Sequence, residues 1–73
     1  MYWQEHIFFD PAILSGKAVI RGTRVPVYLI LEKLAFGCQN EDLVKAYPRI
    51  SIDDIKACLL YAAENAKIYT NNR

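Results

Sequence analysis

The chain is 73 residues long, and 53% of its residues are hydrophobic. A chain of this length forms one small domain with a limited core, and this apolar content argues against disorder. Nine basic and eight acidic side chains give a net charge of +1, whereas dedicated nucleic-acid-binding domains are commonly much more basic. The composition therefore predicts a single domain over residues 1–73, with apolar surface left over for a partner or a second copy.

The residue pattern also predicts a cytoplasmic protein without a membrane span. The first ten residues, MYWQEHIFFD, lack the positive charge and long apolar run of a secretory signal. No stretch reaches the roughly 18 apolar residues of a membrane helix. The two cysteines, Cys38 and Cys58, lack the CxxC or Cys/His spacing of a metal site. We therefore expect reduced thiols, no metal and no cofactor.

Residues 6–24 predict a β element. The segments HIFF (6–9) and KAVIR (17–21) have the β-branched and aromatic composition of short strands, and turn signals at Asp10-Pro11 and Ser15-Gly16 separate them. We expect the two strands to pair as a hairpin. Because a hairpin alone is only marginally stable in water, it must pack on the rest of the chain or pair with another chain.

Residues 25–69 predict a bundle of three helices. The first helix starts at Pro26 and ends at Gly37, since proline suits the first helical position and glycine the position just past the end. Its apolar positions fall on one face: Val27, Ile30, Leu31 and Leu34. A short second helix starts at Gln39 or Asn40 and stops at Pro48.

The third predicted helix runs from about Ile52 to Tyr69. Ser51 and Asp54 resemble a capping box at its start, with aspartate in place of the usual glutamate or glutamine. Its predicted core face contains Ile52, Ile55, Leu59, Ala62, Ala63 and Ala66. The resulting layout is mainly α with a short N-terminal β element, and its three helices follow the order of a helix-turn-helix bundle.

Three segments resemble a bacterial family known as domain of unknown function 433. They are GKAVIRGTRVPVYLILEKLAFG (16–37), KAYPRIS (45–51) and DDIKACLLYAAE (53–64). The resemblance covers roughly residues 5–65. The chain departs from the family pattern at Ser15, where a glycine is usual, at Ala18, where a proline is usual, and at Gln39, where a serine is usual.

The resemblance implies a homeodomain-like three-helix helix-turn-helix fold with an N-terminal β element, and it also implies a function. Members of this family look like antitoxins of type II toxin–antitoxin pairs, encoded beside a PIN-like ribonuclease. The chain is therefore expected to bind and neutralise such a toxin and to bind its own promoter DNA. The alternatives are a stand-alone helix-turn-helix regulator and a protein-interaction module without nucleic-acid binding.

The basic residues around the predicted turn are the candidate DNA- or toxin-binding site. Arg21 and Arg24 flank Gly22-Thr23, and their guanidinium groups either pair with carboxylates of the same fold, such as Glu32 or Glu41, or present planar donors to an external phosphate or carboxylate. In the first of these alternatives, Thr23 caps the turn. The full predicted set is Lys17, Arg21, Thr23, Arg24, Arg49 and Lys56.

A second candidate surface is apolar. The start of the third helix carries Asp53 and Asp54, which suit a phosphate-rich groove poorly. The apolar residues on its outer face are either scattered over an ordinary exposed surface, or form an interface with a partner or a second copy, or contact DNA, and we favour the interface. Aromatic residues near the N-terminus are expected to join this interface. The predicted set is Trp3, Phe8, Ala57, Leu60, Tyr61 and Ile68.

The sequence predicts no enzyme. The single histidine, His6, is expected to be a polar strand residue, and it lies far along the chain from either cysteine. The carboxylate pairs Glu41-Asp42 and Asp53-Asp54 both stand at predicted helix starts, where the helix dipole accounts for them.

Overall fold

The computed structural model describes the backbone of residues 1–68 and the side chains of residues 1–67. Its helices and strands confirm the prediction of a mainly α fold with a short N-terminal β element. The regular elements are β1 (Ile7–Phe9), β2 (Ala18–Ile20), α1 (Val27–Ala35), α2 (Asn40–Ala46) and α3 (Ile52–Ile68). Two short 3-10 turns that the sequence did not predict lie at Trp3–Glu5 and Leu14–Gly16.

The predicted hairpin is present as a two-stranded antiparallel sheet. Ile7 lies opposite Ile20 in the register of the two strands, and both side chains are buried in the core. Phe8 lies opposite Val19 on the other face of the sheet, where Phe8 is partly exposed. The second strand is further held by a bridge between Val19 and Pro26. The hairpin thus packs on the helices, as its marginal stability alone requires.

The connection between the two strands winds through the left-handed region of backbone space. Leu14, Ser15 and Gly16 have φ values of 50°, 57° and 83°. This region disfavours side chains with a Cβ and suits glycine. The position held by Ser15, where the family resemblance leads one to expect glycine, is therefore one at which glycine is the less strained residue.

Proline and glycine mark the two ends of α1, close to where the sequence placed them. The helix begins at Val27, one residue later than predicted. Pro26 is the residue just before it and has extended backbone angles. After the helix, Gly37 adopts a φ of 100°. The Cys38 N–H donates to the Lys33 carbonyl at 2.9 Å and the Gly37 N–H to the Leu34 carbonyl at 3.1 Å, which is the Schellman arrangement. The predicted role of Gly37 is confirmed.

Short-range capping bonds also define the starts of α2 and α3. The Gln39 N–H donates to the Asp42 carboxylate at 3.1 Å. At α3, the Ser51 N–H donates to Asp54 Oδ2 at 2.9 Å, and the Asp54 N–H donates to Ser51 Oγ at 3.1 Å. The second pair is a complete reciprocal capping box, which confirms the prediction for Ser51 and Asp54.

The core lies between the hairpin, α1 and α3, with α2 closing one side. Its buried residues are Ile7, Ile20, Val27, Ile30, Leu43, Ile50, Ile55, Ala57 and Cys58. Leu31 and Leu34 pack against it, so the apolar face predicted for α1 is confirmed.

The face predicted for α3 is largely wrong. Ile55 is fully buried as expected, but Leu59 is 50% exposed, and Ala57 and Cys58 are fully buried in its place. Ile52, Ala63 and Ala66 are exposed as well. Apolar residues surround most of this helix, so periodicity alone left its orientation open. The structure turns the small side chains of Ala57 and Cys58 inward, where they allow a close approach of the helix to the rest of the core.

Candidate binding surface

Several hydrogen bonds hold the turn after β2. The Thr23 hydroxyl donates to the Ile20 carbonyl at 2.7 Å and accepts the Val25 N–H at 3.0 Å. The Thr23 N–H also bonds the Ile20 carbonyl, at 3.0 Å, and the Ile20 N–H donates to the Val25 carbonyl at 2.9 Å. Gly22 supplies the positive φ, 81°, that the third position of this turn needs. The prediction that Thr23 caps the turn is confirmed.

Arg21 is committed to the fold. Its Nε donates to the Glu5 carbonyl at 3.1 Å and its Nη2 to the Gln4 carbonyl at 3.3 Å. The guanidinium carbon also lies 5.1 Å from the centroid of the Phe8 ring, within the range of a cation–π contact. These contacts join the end of the hairpin to the N-terminal turn. Arg21 is therefore a structural clamp, and its partners are backbone carbonyls instead of the predicted carboxylates of Glu32 or Glu41.

Arg24 is in a different position. It is exposed, and it makes no hydrogen bond or ion pair with the residues that the structure describes. It lines a groove of about 220 Å³ together with Arg49, which is also exposed and unpaired within the described part of the chain. The structure therefore separates the two predicted arginines: Arg21 holds the fold together, whereas Arg24 is available to an external group.

This difference predicts opposite responses to alanine substitution. We expect Arg21→Ala to lower the free energy of unfolding by about 1 kcal/mol, because two charge-assisted bonds and an aromatic contact are lost at an exposed site. The matched change Arg24→Ala removes no contact and should stay within about 0.5 kcal/mol of the parent. Urea unfolding followed by circular dichroism measures both. Equal losses in the two variants would contradict the assignment.

The remaining predicted basic residues do not share one patch. Lys17 lines a separate apolar groove of about 470 Å³ between the hairpin, α1 and α3, beside Phe9, Tyr28 and Tyr61. Lys56 lies exposed on α3 and lines neither groove. Of the predicted set, the structure thus brings Thr23, Arg24 and Arg49 together and places Lys17, Arg21 and Lys56 elsewhere.

The predicted interface residues are divided in a similar way. Trp3 packs edge-on against Tyr61 with ring centroids 4.9 Å apart, and Phe9 approaches the same tyrosine at 6.0 Å. Trp3 and Tyr61 are therefore partly buried within the chain itself. Phe8 and Leu60 are partly exposed and remain available to a partner.

Two members of that set need separate comment. Ala57 is fully buried in the core, so its prediction as an outer-face residue is wrong, for the same reason that the α3 face was misplaced. The side chain of Ile68 lies outside the described residues. Exposed hydrophobic residues that the sequence analysis did not select include Tyr28 and Phe36, the latter 89% exposed just past the end of α1.

A contact that sequence reasoning missed joins the hairpin to α3. His6 Nδ1 donates to Asp54 Oδ1 at 2.9 Å, so the carboxylate that caps α3 also holds the start of β1. An ionised carboxylate can only accept, which assigns the proton to Nδ1. The two residues are 48 positions apart in sequence, and no local signal connects them. His6 therefore makes a tertiary hydrogen bond, which its predicted role as a polar strand residue did not include.

Within the described residues, the titratable side chains include one histidine, His6, and two cysteines, Cys38 and Cys58. No group of three or more histidine, cysteine or acidic side chains there is arranged to hold a metal. Both cysteines are free thiols. Burial, and secondarily the negative charge of Asp54, raises the pKa of the Cys58 thiol to about 11, so this thiol stays protonated and unreactive at neutral pH. None of the described helices is long and apolar enough to cross a bilayer.

Comparison with known proteins places this geometry in a family. The chain is 37% identical over 62 residues to "Uncharacterized protein y4eO" of Sinorhizobium fredii, a match that covers 85% of the chain and 28% of that relative. The chain thus spans little more than a quarter of the relative's length. A crystal structure of a DUF433 member protein from Anabaena variabilis superposes with a TM-score of 0.80 at 28% identity, over 94% of this chain and 68% of that one. Because the model for "Protein of unknown function (DUF433)" matches residues 7–62, the chain belongs to this family.

Proposed function

We propose that the chain is the antitoxin of a type II toxin–antitoxin pair, which binds and neutralises a PIN-like ribonuclease and also binds its own promoter DNA in the cytoplasm. The proposal starts from the family resemblance, which implies a role in binding another protein. The observation that carries it further is a groove lined by two arginines that are unpaired within the described part of the chain, and large hydrophobic side chains also stand exposed outside this groove.

The exposed residues favour a protein partner. Arginine and aromatic residues are enriched where proteins meet, and lysine and acidic residues are depleted. The exposed aromatic residues include Tyr28 and Phe36, and the aliphatic residues Leu59 and Leu60 are exposed as well. A chain this small gains stability when such residues are covered, since its own core is limited. We expect the protein to form a homodimer for the same reason.

The residues in the first turn of α3 limit how the chain can contact promoter DNA. In a helix-turn-helix protein the first residues of the last helix reach the base edges. Here that position carries the exposed residues Ile52 and Asp53, and a carboxylate is repelled by the phosphate backbone. DNA binding would then need basic residues outside the first turn of α3 and a dimeric arrangement.

Two other functions follow from the same surface. A stand-alone regulator would bind promoter DNA with strong salt dependence and would have no toxin partner. An interaction module would form a stable protein complex and bind no DNA. The exposed apolar residues on α3 suit the second of these better than the first.

The test is to co-express the chain with each protein encoded beside it and to measure copurification. RNA cleavage by the copurified partner is then assayed with and without the chain. We expect a stable complex with a ribonuclease whose cleavage activity falls as the chain is added in equal amount. Light scattering on the isolated chain measures its oligomeric state.

Other outcomes decide between the proposals. A stable complex with a partner that never cleaves RNA supports the interaction module. No complex, together with salt-sensitive binding to the upstream DNA, supports the stand-alone regulator. Either result would overturn the antitoxin proposal.

A further inference from the structure

The groove that contains Arg24 and Arg49 has a composition that defines its ligand. Its walls are mostly apolar, formed by Val25, Ala46, Tyr47, Pro48 and Ile50, and Thr23 completes the lining. Among the described residues, the two arginines are the only charged side chains that line it, and no carboxylate does so. The groove therefore combines two positive charges with an otherwise mostly apolar lining. Its volume of about 220 Å³ is the size of one or two side chains.

Both arginines lie in or next to a turn whose backbone is held by hydrogen bonds. Arg24 follows Thr23, whose hydroxyl fixes the turn after β2 through two hydrogen bonds. Arg49 follows Pro48 inside a second turn, which the Ile50 N–H closes by donating to the Tyr47 carbonyl at 3.0 Å. Because hydrogen bonds already hold the backbone at each arginine in a turn, ordering that backbone adds little to the cost of binding an anion.

An anion that fits this groove is either a carboxylate on a protein or a phosphate in a nucleic acid, and the surroundings favour the carboxylate. The apolar walls offer nothing to the charged and hydrated neighbours of a phosphate in a nucleic-acid strand, whereas they suit the apolar residues beside an acidic side chain. The exposed Asp53 lies three residues beyond the groove-lining Ile50 and would repel a continuous polyanion.

We infer that this groove binds an aspartate or glutamate side chain, flanked by apolar residues, from a protein partner. The two guanidinium groups donate to the carboxylate, and the apolar neighbours of the acid pack against Val25, Pro48 and Ile50. The inference rests on the proposed function for the identity of the partner. It assigns to Arg24 and Arg49 a role in protein recognition and leaves Arg21 with its structural role.

A peptide titration tests the chemistry of the groove without reference to any toxin. The probe is N-acetyl-Leu-Asp-Leu-amide, added to isotopically labelled protein and followed by NMR at the arginine Nε–H groups and the backbone N–H groups of residues 23–25, 47, 49 and 50. Two control ligands are titrated separately: the same peptide with asparagine in place of aspartate, and inorganic phosphate. We expect shifts localised to the groove, with binding about tenfold weaker or more for the asparagine peptide, since the charge-assisted bonds are lost.

Three results of this titration would overturn the inference. The first is no localised shift with the aspartate peptide. The second is equal binding of the asparagine peptide. The third is stronger binding of phosphate than of the peptide at the same two arginines, which would make the groove a nucleic-acid site.

The complex with the copurified partner supplies the second test. The variant Arg24→Gln/Arg49→Gln is compared with Lys33→Gln/Lys67→Gln, which removes the same amount of charge outside the groove. We expect the first variant to weaken the complex about tenfold or more and the second to change it little, with unfolding midpoints unchanged in both. Equal affinities of the two variants would overturn the inference while leaving the antitoxin proposal in place. If no partner copurifies, the antitoxin proposal fails, and the peptide titration still decides the groove.

Discussion

The variant Ile55→Ala is expected to lose about 3 kcal/mol of unfolding free energy, out of a total of roughly 4–11 kcal/mol for a chain of this length. Ile55 is fully buried in the core with Ile30, Leu43 and Cys58. Truncating it removes apolar contacts and leaves a cavity that close-packed neighbours fill only in part. Chemical denaturation monitored by circular dichroism measures the loss as a shift of the midpoint.

Leu59 is the matched control for this experiment. It lies one turn further along α3 and was placed on the same core face by its sequence spacing, yet it is 50% exposed. We expect Leu59→Ala to change the stability of the monomer by less than about 0.5 kcal/mol. If Leu59→Ala were as destabilising as Ile55→Ala at low protein concentration, the orientation of α3 described above would be wrong.

The second large effect is expected at Asp54. Its carboxylate accepts the Ser51 N–H at the start of α3 and the His6 ring N–H, both at 2.9 Å. Asp54→Ala removes the half of the capping box that the Asp54 carboxylate supplies, while the backbone N–H of residue 54 can still donate to Ser51 Oγ, and it leaves a partly buried histidine without its partner. We expect a loss of about 2 kcal/mol, from roughly 1 kcal/mol for the cap and a similar amount for the tertiary bond.

Asp53 provides the comparison within the same helical turn. It is exposed and carries no side-chain hydrogen bond within the described residues, so Asp53→Ala should lose only the attraction of a carboxylate to the helix dipole, about 0.5 kcal/mol. The double variant His6→Ala/Asp54→Ala separates the two roles of Asp54, because its cost beyond His6→Ala alone reports the cap. Similar losses for Asp53→Ala and Asp54→Ala would show that Asp54 acts only through the dipole.

Local chemistry explains which parts of the fold were predictable. The ends of α1 follow from Pro26 and Gly37, and the start of α3 follows from Ser51 and Asp54, because each of these signals acts within a few residues of itself. The hairpin followed from composition and turn signals. These features needed no knowledge of the tertiary structure.

The features that were missed all depend on distant contacts. The orientation of α3 was open because apolar residues occur on most of its circumference, and only packing against the hairpin and α1 selects Ala57 and Cys58 for the core. The bond between His6 and Asp54 has no local signature. The binding surface has no local signature either. Arg21 and Arg24 flank the turn symmetrically in the sequence, and only the hydrogen bonds from Arg21 to the N-terminal turn distinguish them.

The edge-on contact between Trp3 and Tyr61 gives the protein a built-in optical reporter. Trp3 is the one tryptophan in the chain, and its ring nitrogen is buried without a hydrogen-bond partner among the described residues. Its fluorescence therefore monitors whether the N-terminal turn is docked on α3, at 4.9 Å between ring centroids. Any partner that displaces this turn, or that covers it more deeply, changes the emission of the unlabelled protein.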